Sequence, residues 1–197
     1  MTTWYLGELL GWILLALALG AATVFAVLAY WRPRRLHLWL AAGALALALV
    51  AAASLPSPAP LGIGVLTSAA AIAVAVFGGG PAAAVALDLA MGGSVRHGLH
   101  GGILVDAKHG EDVAGARPAQ REVLRGGRTI GVLERLATAG AIVAGFPEAL
   151  AIVVAVKGVG RFTELEAPEA RERFIIGTLA SLIWAAAAGL VAHLVLR

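Results

Sequence analysis

Apolar residues run almost unbroken from Trp4 to Trp31, from Leu36 to about Leu55, from Leu61 onward, and again from about Phe174 to Leu196. At about 1.5 Å of rise per residue, a helix of such length reaches across a hydrocarbon core of about 30 Å. The stops between the runs are explicit. Arg32-Pro33-Arg34-Arg35 ends the first, because proline cannot continue a helix and the arginines anchor its end among headgroups. Pro56-Ser57-Pro58-Ala59-Pro60 ends the second as a stiff, short, extended turn. The third run meets Gly78-Gly79-Gly80-Pro81, which predicts a break and a remnant from Ala82 to Met91 only about 16 Å long, interfacial or tucked among the other helices. A polar, glycine-rich stretch follows from Gly92 to Arg128. Two shorter apolar helices, roughly Thr129 to Gly145 and Pro147 to Phe162, then meet at Gly145-Phe146-Pro147.

These stretches divide the chain into a three-span region with a broken third helix (1–91), a cytoplasmic polar Gly/His-rich loop (92–128), and a helical hairpin followed by a last span (129–197). Charge sets the orientation. With the N-terminus outside, the cations of Arg32 to Arg35, Arg96 to Arg128 and Arg161 to Arg173 all fall on the cytoplasmic side, and only Arg197 faces out. The expected fold is therefore an all-α polytopic transmembrane helical bundle of about six spans, N-out and C-out, in a bacterial cytoplasmic membrane. Met1-Thr2-Thr3-Trp4 lacks the basic start of a secretory signal and Glu8 comes early, so the first run reads as a retained span.

Composition narrows the function classes. Of 197 residues, 60% are hydrophobic and 14% charged, against about a quarter charged in soluble domains. A water-soluble fold could not hide that much apolar surface. The formal net charge of +3 invites a nucleic-acid reading, but the cations flank apolar spans, where the lipid bilayer and its anionic headgroups are the natural partners. The absence of cysteine removes disulfides, thiolate catalysis and Cys-ligated metals.

Charges in the apolar hairpin are costly and call for partners. Glu134 lies twelve residues before Phe146, about 18 Å along a helix, while Lys157 and Arg161 lie about 15 and 21 Å past Pro147. Glu134, Arg135, Lys157 and Arg161 thus form an intramembrane charge cluster, in which Glu134 bridges to Lys157 or Arg161. The alternative is that the long side chains snorkel separately to the headgroups. In the polar loop, His97, His100, Asp106 and His109 could together hold a divalent metal or serve acid and base roles, although no HExxH, GxxxxGK[ST] or GxSxG pattern accompanies them. Asp88 either joins that loop or marks where its helix meets water. No other cofactor is expected.

Packing signals are plainer. Gly177, Ser181, Ala185 and Gly189 recur every four residues on the last span and predict a narrow helix-packing face, which His193 extends. Ala137, Ala141 and Gly145 repeat the device in the hairpin, and Gly7 with Gly11 in the first span. Such faces serve intramolecular packing, a homo-oligomer or a membrane-protein partner.

The segments Gly131-Val132-Leu133-Glu134-Arg135-Leu136, Ala155-Val156-Lys157-Gly158-Val159-Gly160-Arg161-Phe162 and Phe174-Ile175-Ile176-Gly177-Thr178-Leu179-Ala180-Ser181 resemble the end of an uncharacterised bacterial integral-membrane domain family. Its members show an IG-LER helix, an A-K-S-x-A-R-F helix and an F-L-I-G-T-L-x-S helix. The resemblance covers about residues 126–186, with Gly158 and Gly160 standing where that family carries other small residues. It implies a bacterial cytoplasmic-membrane protein of unassigned activity and points to Glu134, Lys157 and Arg161. The sequence as a whole, rich in packing motifs and poor in reactive constellations, points away from an enzyme and toward a scaffold or accessory membrane subunit. The competing expectation is a membrane-embedded enzyme or small-solute transporter that uses the His/Asp loop and the hairpin charges.

Overall fold

The computed structural model describes residues 2–91, 103–106, 120–123, 127–161 and 168–197. Four long helices, α1 (Thr2–Trp31), α2 (Arg35–Ser54), α3 (Leu61–Ala90) and α6 (Pro168–Leu196), are each long and apolar enough to cross a membrane. Between them come two short strands, β1 (Ile103–Asp106) and β2 (Gln120–Val123), and two shorter helices, α4 (Gly127–Val143) and α5 (Ala149–Arg161). The protein is a helical bundle of membrane type. Leu10, Leu17, Val24, Leu66 and Ile183 are all more than half exposed on its sides, a greasy girdle that lipid tolerates and water does not.

The structure departs from the sequence expectation at two places. The bundle is all-helical as expected, but the stretch expected as a purely polar loop contains a short antiparallel ribbon, with Ile103 opposite Val123 and Asp106 opposite Gln120. Ile103 and Val105 are β-branched, and that preference won locally. The third span is also unbroken: α3 runs thirty residues straight through Gly78–Pro81. A helix opened in the apolar layer would strand backbone N–H and C=O groups without water, whereas an included proline forfeits only its own donor. At about 45 Å the helix outlasts the hydrocarbon core. The segment after Pro81 is the end of a long span and not a separate piece. Its Asp88 lies 3.5 Å from Arg35 at the start of α2, which places that level at the charged end of the bundle.

The largest contact of the fold is α3 against α6, and α1 packs on α2. Both interfaces are built from small side chains that let helix backbones come close. Ala22, Ala26 and Ala29 of α1 and Ala41, Ala48 and Ala51 of α2 are buried. On α6, Ser181 and Ala185 are buried; a side chain at Gly177 would touch Leu87 of α3, and one at Gly189 would sit 2.9 Å from the Ala139 carbonyl oxygen of α4. The two ends of the Gly177 to Gly189 face therefore take different partners, α3 at one and α4 at the other. At the far end of the bundle, opposite the arginines, the Pro56 to Pro60 turn is fastened by Ala59 N–H donating to the Val195 carbonyl, 2.8 Å, and by the Ser57 hydroxyl donating to Glu8 Oε1.

Helix α4 ends in a Schellman turn. Gly145, at φ +72°, donates its N–H to the Ile142 carbonyl and Phe146 donates to that of Ala141, 3.0 and 2.9 Å. The hairpin tip lies beside His193 on α6. A Gly145→Ala variant is expected to lose about 1–2 kcal/mol of stability, because an L side chain is disfavoured in the left-handed region. Gly145→Asn should lose less. Thermal unfolding in detergent checks the order; equal losses would assign the role of Gly145 to space beside His193 instead.

Candidate functional site

The charged end of the bundle is built from the last turns of α1, the first turn of α2, the Pro81 region of α3 and the starts of α4 and α6. Three features of these elements converge there. Arg135 on α4 is buried at 5% exposure, and its side chain crosses directly over Gly79 of α3, where any Cβ would lie 2.3 Å from the arginine Cδ. From that position Nε donates to the Val76 carbonyl at 3.0 Å and Nη1 to Ser181 Oγ at 3.3 Å, so one guanidinium ties α4 to both α3 and α6. Nη2 has no hydrogen bond among the described residues.

Glu134, next to it, faces the other way. Lys157 on α5 donates its ammonium to Glu134 Oε2, and the same ammonium stands 5.6 Å from the centre of the Phe174 ring on α6. Charge buried in an apolar layer is costly unless it is paired or hydrogen-bonded, and here Glu134 and Lys157 each supply the other's counter-charge. None of residues 149–160 of α5 is buried. Beyond the pair, toward the far end, apolar residues of α3 and α6 pack around Trp184. The indole of Trp184 passes over Gly78 and donates to the Val74 carbonyl at 2.9 Å, with Val74, Ala75, Ala185, Ala188 and Val191 buried around and beyond it.

Two cavities meet at the Glu134–Lys157 pair. One, of about 360 Å³, is a chamber that carries the charges, bounded by Tyr30, Pro33, Pro81, Arg128 and Arg135. Tyr30 is set by edge-on contacts with Phe77 and Trp31, 5.4 and 5.6 Å between ring centres, as aromatic residues are at a membrane–water interface. The other, of about 480 Å³, is an open apolar groove between α4 and α5, lined by Ile130, Leu133, Ala137, Ile152, Val153 and Val156. Glu134 and Lys157 line both. Among the described residues the chamber presents three cations, Arg128, Arg135 and Lys157, against one carboxylate, that of Glu134.

Of the residues singled out from sequence, Glu134 and Lys157 meet each other, while Arg135 turns to α3 and α6. Arg161 ends α5, and its side chain lies outside the described residues, as do His97, His100 and His109. Asp106 belongs to β1, paired with Gln120, and its side chain too lies outside the described set. Among the described residues no group of three His, Asp or Glu side chains could hold a metal. Sequence reasoning missed Gly78 and Gly79 as packing positions, the Trp184 bond and the place of Arg128 and Tyr30 in the chamber. Trp184 offered a signal: a tryptophan deep in a span, away from the interfacial belts, needs an acceptor for its N–H. Compared with protein-family models, curated proteins and solved structures, the chain matches none.

Proposed function

We propose that the chain is a non-enzymatic scaffold or accessory subunit of a bacterial cytoplasmic membrane, and that the α4–α5 hairpin is the part that meets its partner. The observation that carries this reading is that the last span spends its small-residue face on its neighbours, whereas α5 does not. Gly177 and Gly189 of α6 are covered by Leu87 and by Ala139, but Ala151, Ala155 and Gly158 lie exposed along the side of α5 turned away from the groove, and Gly158 has open space beside it. Small side chains on an apolar helix let a second helix approach closely.

The finer topology belongs to the same proposal: six crossings, N-out and C-out. Its support is the gathering of Arg32, Arg34, Arg35, Arg128 and Lys157 at one end, the end that the positive-inside bias assigns to the cytoplasm. The hairpin tip beside His193, near the end of α6, supports counting α4 and α5 as crossings, although each is shorter than the usual span.

A chain without native cysteine makes the test clean. A single Ala155→Cys variant is expected to cross-link in native membranes to one discrete partner band, whether another protein or a second copy. Leu47→Cys, on the exposed side of α2, gives none. The band should vanish when Ala151→Leu is added. Equal labelling at both positions, or a band indifferent to Ala151→Leu, would overturn the proposal.

The competing reading, transport of a small solute, draws on the chamber beside Pro81. Buried apolar residues around Trp184 lie between that chamber and the far face, an arrangement that suits a dead-end binding site better than a conduit.

A further inference from the structure

We infer that chamber and groove together hold one anionic lipid, with its phosphate among Arg128, Arg135 and Lys157 and an acyl chain between α4 and α5. The shape is that of an amphiphile: a cavity that carries the charges and an apolar groove adjoin at two shared lining residues, Glu134 and Lys157. The charge is that of an anion's receptor. Lys157 neutralises Glu134, so among the described residues of the chamber the two arginines stand in excess. Arg135 commits Nε and Nη1 to protein acceptors, and among the described residues neither its Nη2 nor the exposed Arg128 has a hydrogen bond or ion pair. A guanidinium offers five N–H donors in a planar fork that suits phosphate oxygens.

Depth agrees with this assignment. Ser181, the partner of Arg135, lies fifteen residues before Leu196, or about 22 Å along α6 from the far end. In a core of about 30 Å, Arg135 is then about 8 Å inside the boundary at the charged end. Arg128, seven residues earlier on α4, falls about 10 Å nearer that boundary, at headgroup level. From there the groove leads along Ile130, Leu133 and Ala137 toward the hairpin tip, the direction an acyl chain takes from its phosphate into the leaflet. Arg128 lies at the boundary, Arg135 and Lys157 lie below it, and the apolar groove leads on from them toward the tip.

The site lies on the inner side of the hairpin, opposite the Ala155 face, so its fate is separate from that of the partner proposal. The test uses the full chain in nanodiscs of dioleoylphosphatidylcholine containing a minor fraction of dioleoylphosphatidylglycerol, followed by native mass spectrometry. The expected result is retention of one phosphatidylglycerol per chain. Arg128→Gln should reduce retention about fivefold, the usual effect of one interfacial cation. Val156→Trp, at a two-thirds exposed position on the groove wall, should reduce it by blocking the chain. Both positions are peripheral, and an unchanged circular dichroism spectrum certifies the fold. Glycerol 3-phosphate, which carries the headgroup chemistry without chains, should not compete. Equal retention of the two lipids, indifference to both substitutions, or displacement by glycerol 3-phosphate would overturn the inference, the last by showing a soluble-anion site.

Discussion

Lys157→Met is expected to cost about 3 kcal/mol of unfolding free energy in detergent, the low end of what breaking a buried ion pair costs. The physical reason is the carboxylate left behind. Glu134 is 9% exposed, and apart from Lys157 no described residue forms a salt bridge with it, the neighbouring Arg135 acting on it only through space. Glu134→Met should be milder, because the lysine it orphans can lean outward to headgroups and keeps its contact with Phe174. Combining the two should restore stability to within about 1 kcal/mol of the parent, since an apolar pair of similar volume replaces a charged pair at little cost. Interhelical hydrogen bonds in membranes average only about 0.6 kcal/mol. A loss of that size for Lys157→Met, or strictly additive losses in the double variant, would reduce the pair to an ordinary contact. Equilibrium unfolding of the four proteins in one detergent decides the matter.

The second large effect is expected at Gly78, where the usual sign of a glycine substitution reverses. In an ordinary helix interior, Gly→Ala gains up to about 1 kcal/mol from reduced backbone entropy. At Gly78 an added Cβ would lie 2.3 Å from Nε1 and 2.5 Å from Cε2 of the Trp184 indole, a rigid ring whose N–H is already committed to the Val74 carbonyl. The ring cannot yield without losing that bond. Gly78→Ala should therefore destabilise by about 1–3 kcal/mol, the range for overpacking a filled core. Gly140→Ala, with nothing within 4 Å of the new Cβ, should be neutral or stabilising. Trp184→Leu is costly by itself but should absorb most of the Gly78→Ala penalty, because the clash and the indole disappear together. If Gly78→Ala and Gly140→Ala raise the melting temperature alike, Gly78 is not a packing position.

Much of the architecture was legible because hydropathy is a local sum. Leu36 to Leu55 shows its length, its apolar character and its proline stop in consecutive residues, and α2 needs little more. The four long helices and their charged and uncharged ends follow from that information. The broken third helix was a misreading with an identifiable cause. Gly78-Gly79-Gly80-Pro81 carries every local signal of a turn in water, but no turn is affordable where lipid leaves backbone groups unpaired. The ribbon of β1 and β2 was hidden by the polar composition around it.

The chamber was much less visible, because its walls are far apart in the chain: Tyr30, Pro81, Arg128, Arg135 and Lys157 come from four different helices. Rise per residue alone placed Glu134 level with two cations, but which of them it meets depends on how α5 rotates against α4. The same holds for Arg135, whose neighbour Glu134 gives no hint that the next side chain turns toward Val76 and Ser181.

By itself, then, the sequence determined that the chain is a lipid-dissolved set of long helices with its cations gathered at one end. Solvent preference and helix rise are properties of consecutive residues. The tertiary structure decided that glycines 78 and 79 are seats for Trp184 and Arg135, that Lys157 is the counter-ion of Glu134, and that a charged chamber and an apolar groove share that pair. Those outcomes depend on which helix faces which and at what rotation, and side chains separated by up to 110 positions settle that only by packing together.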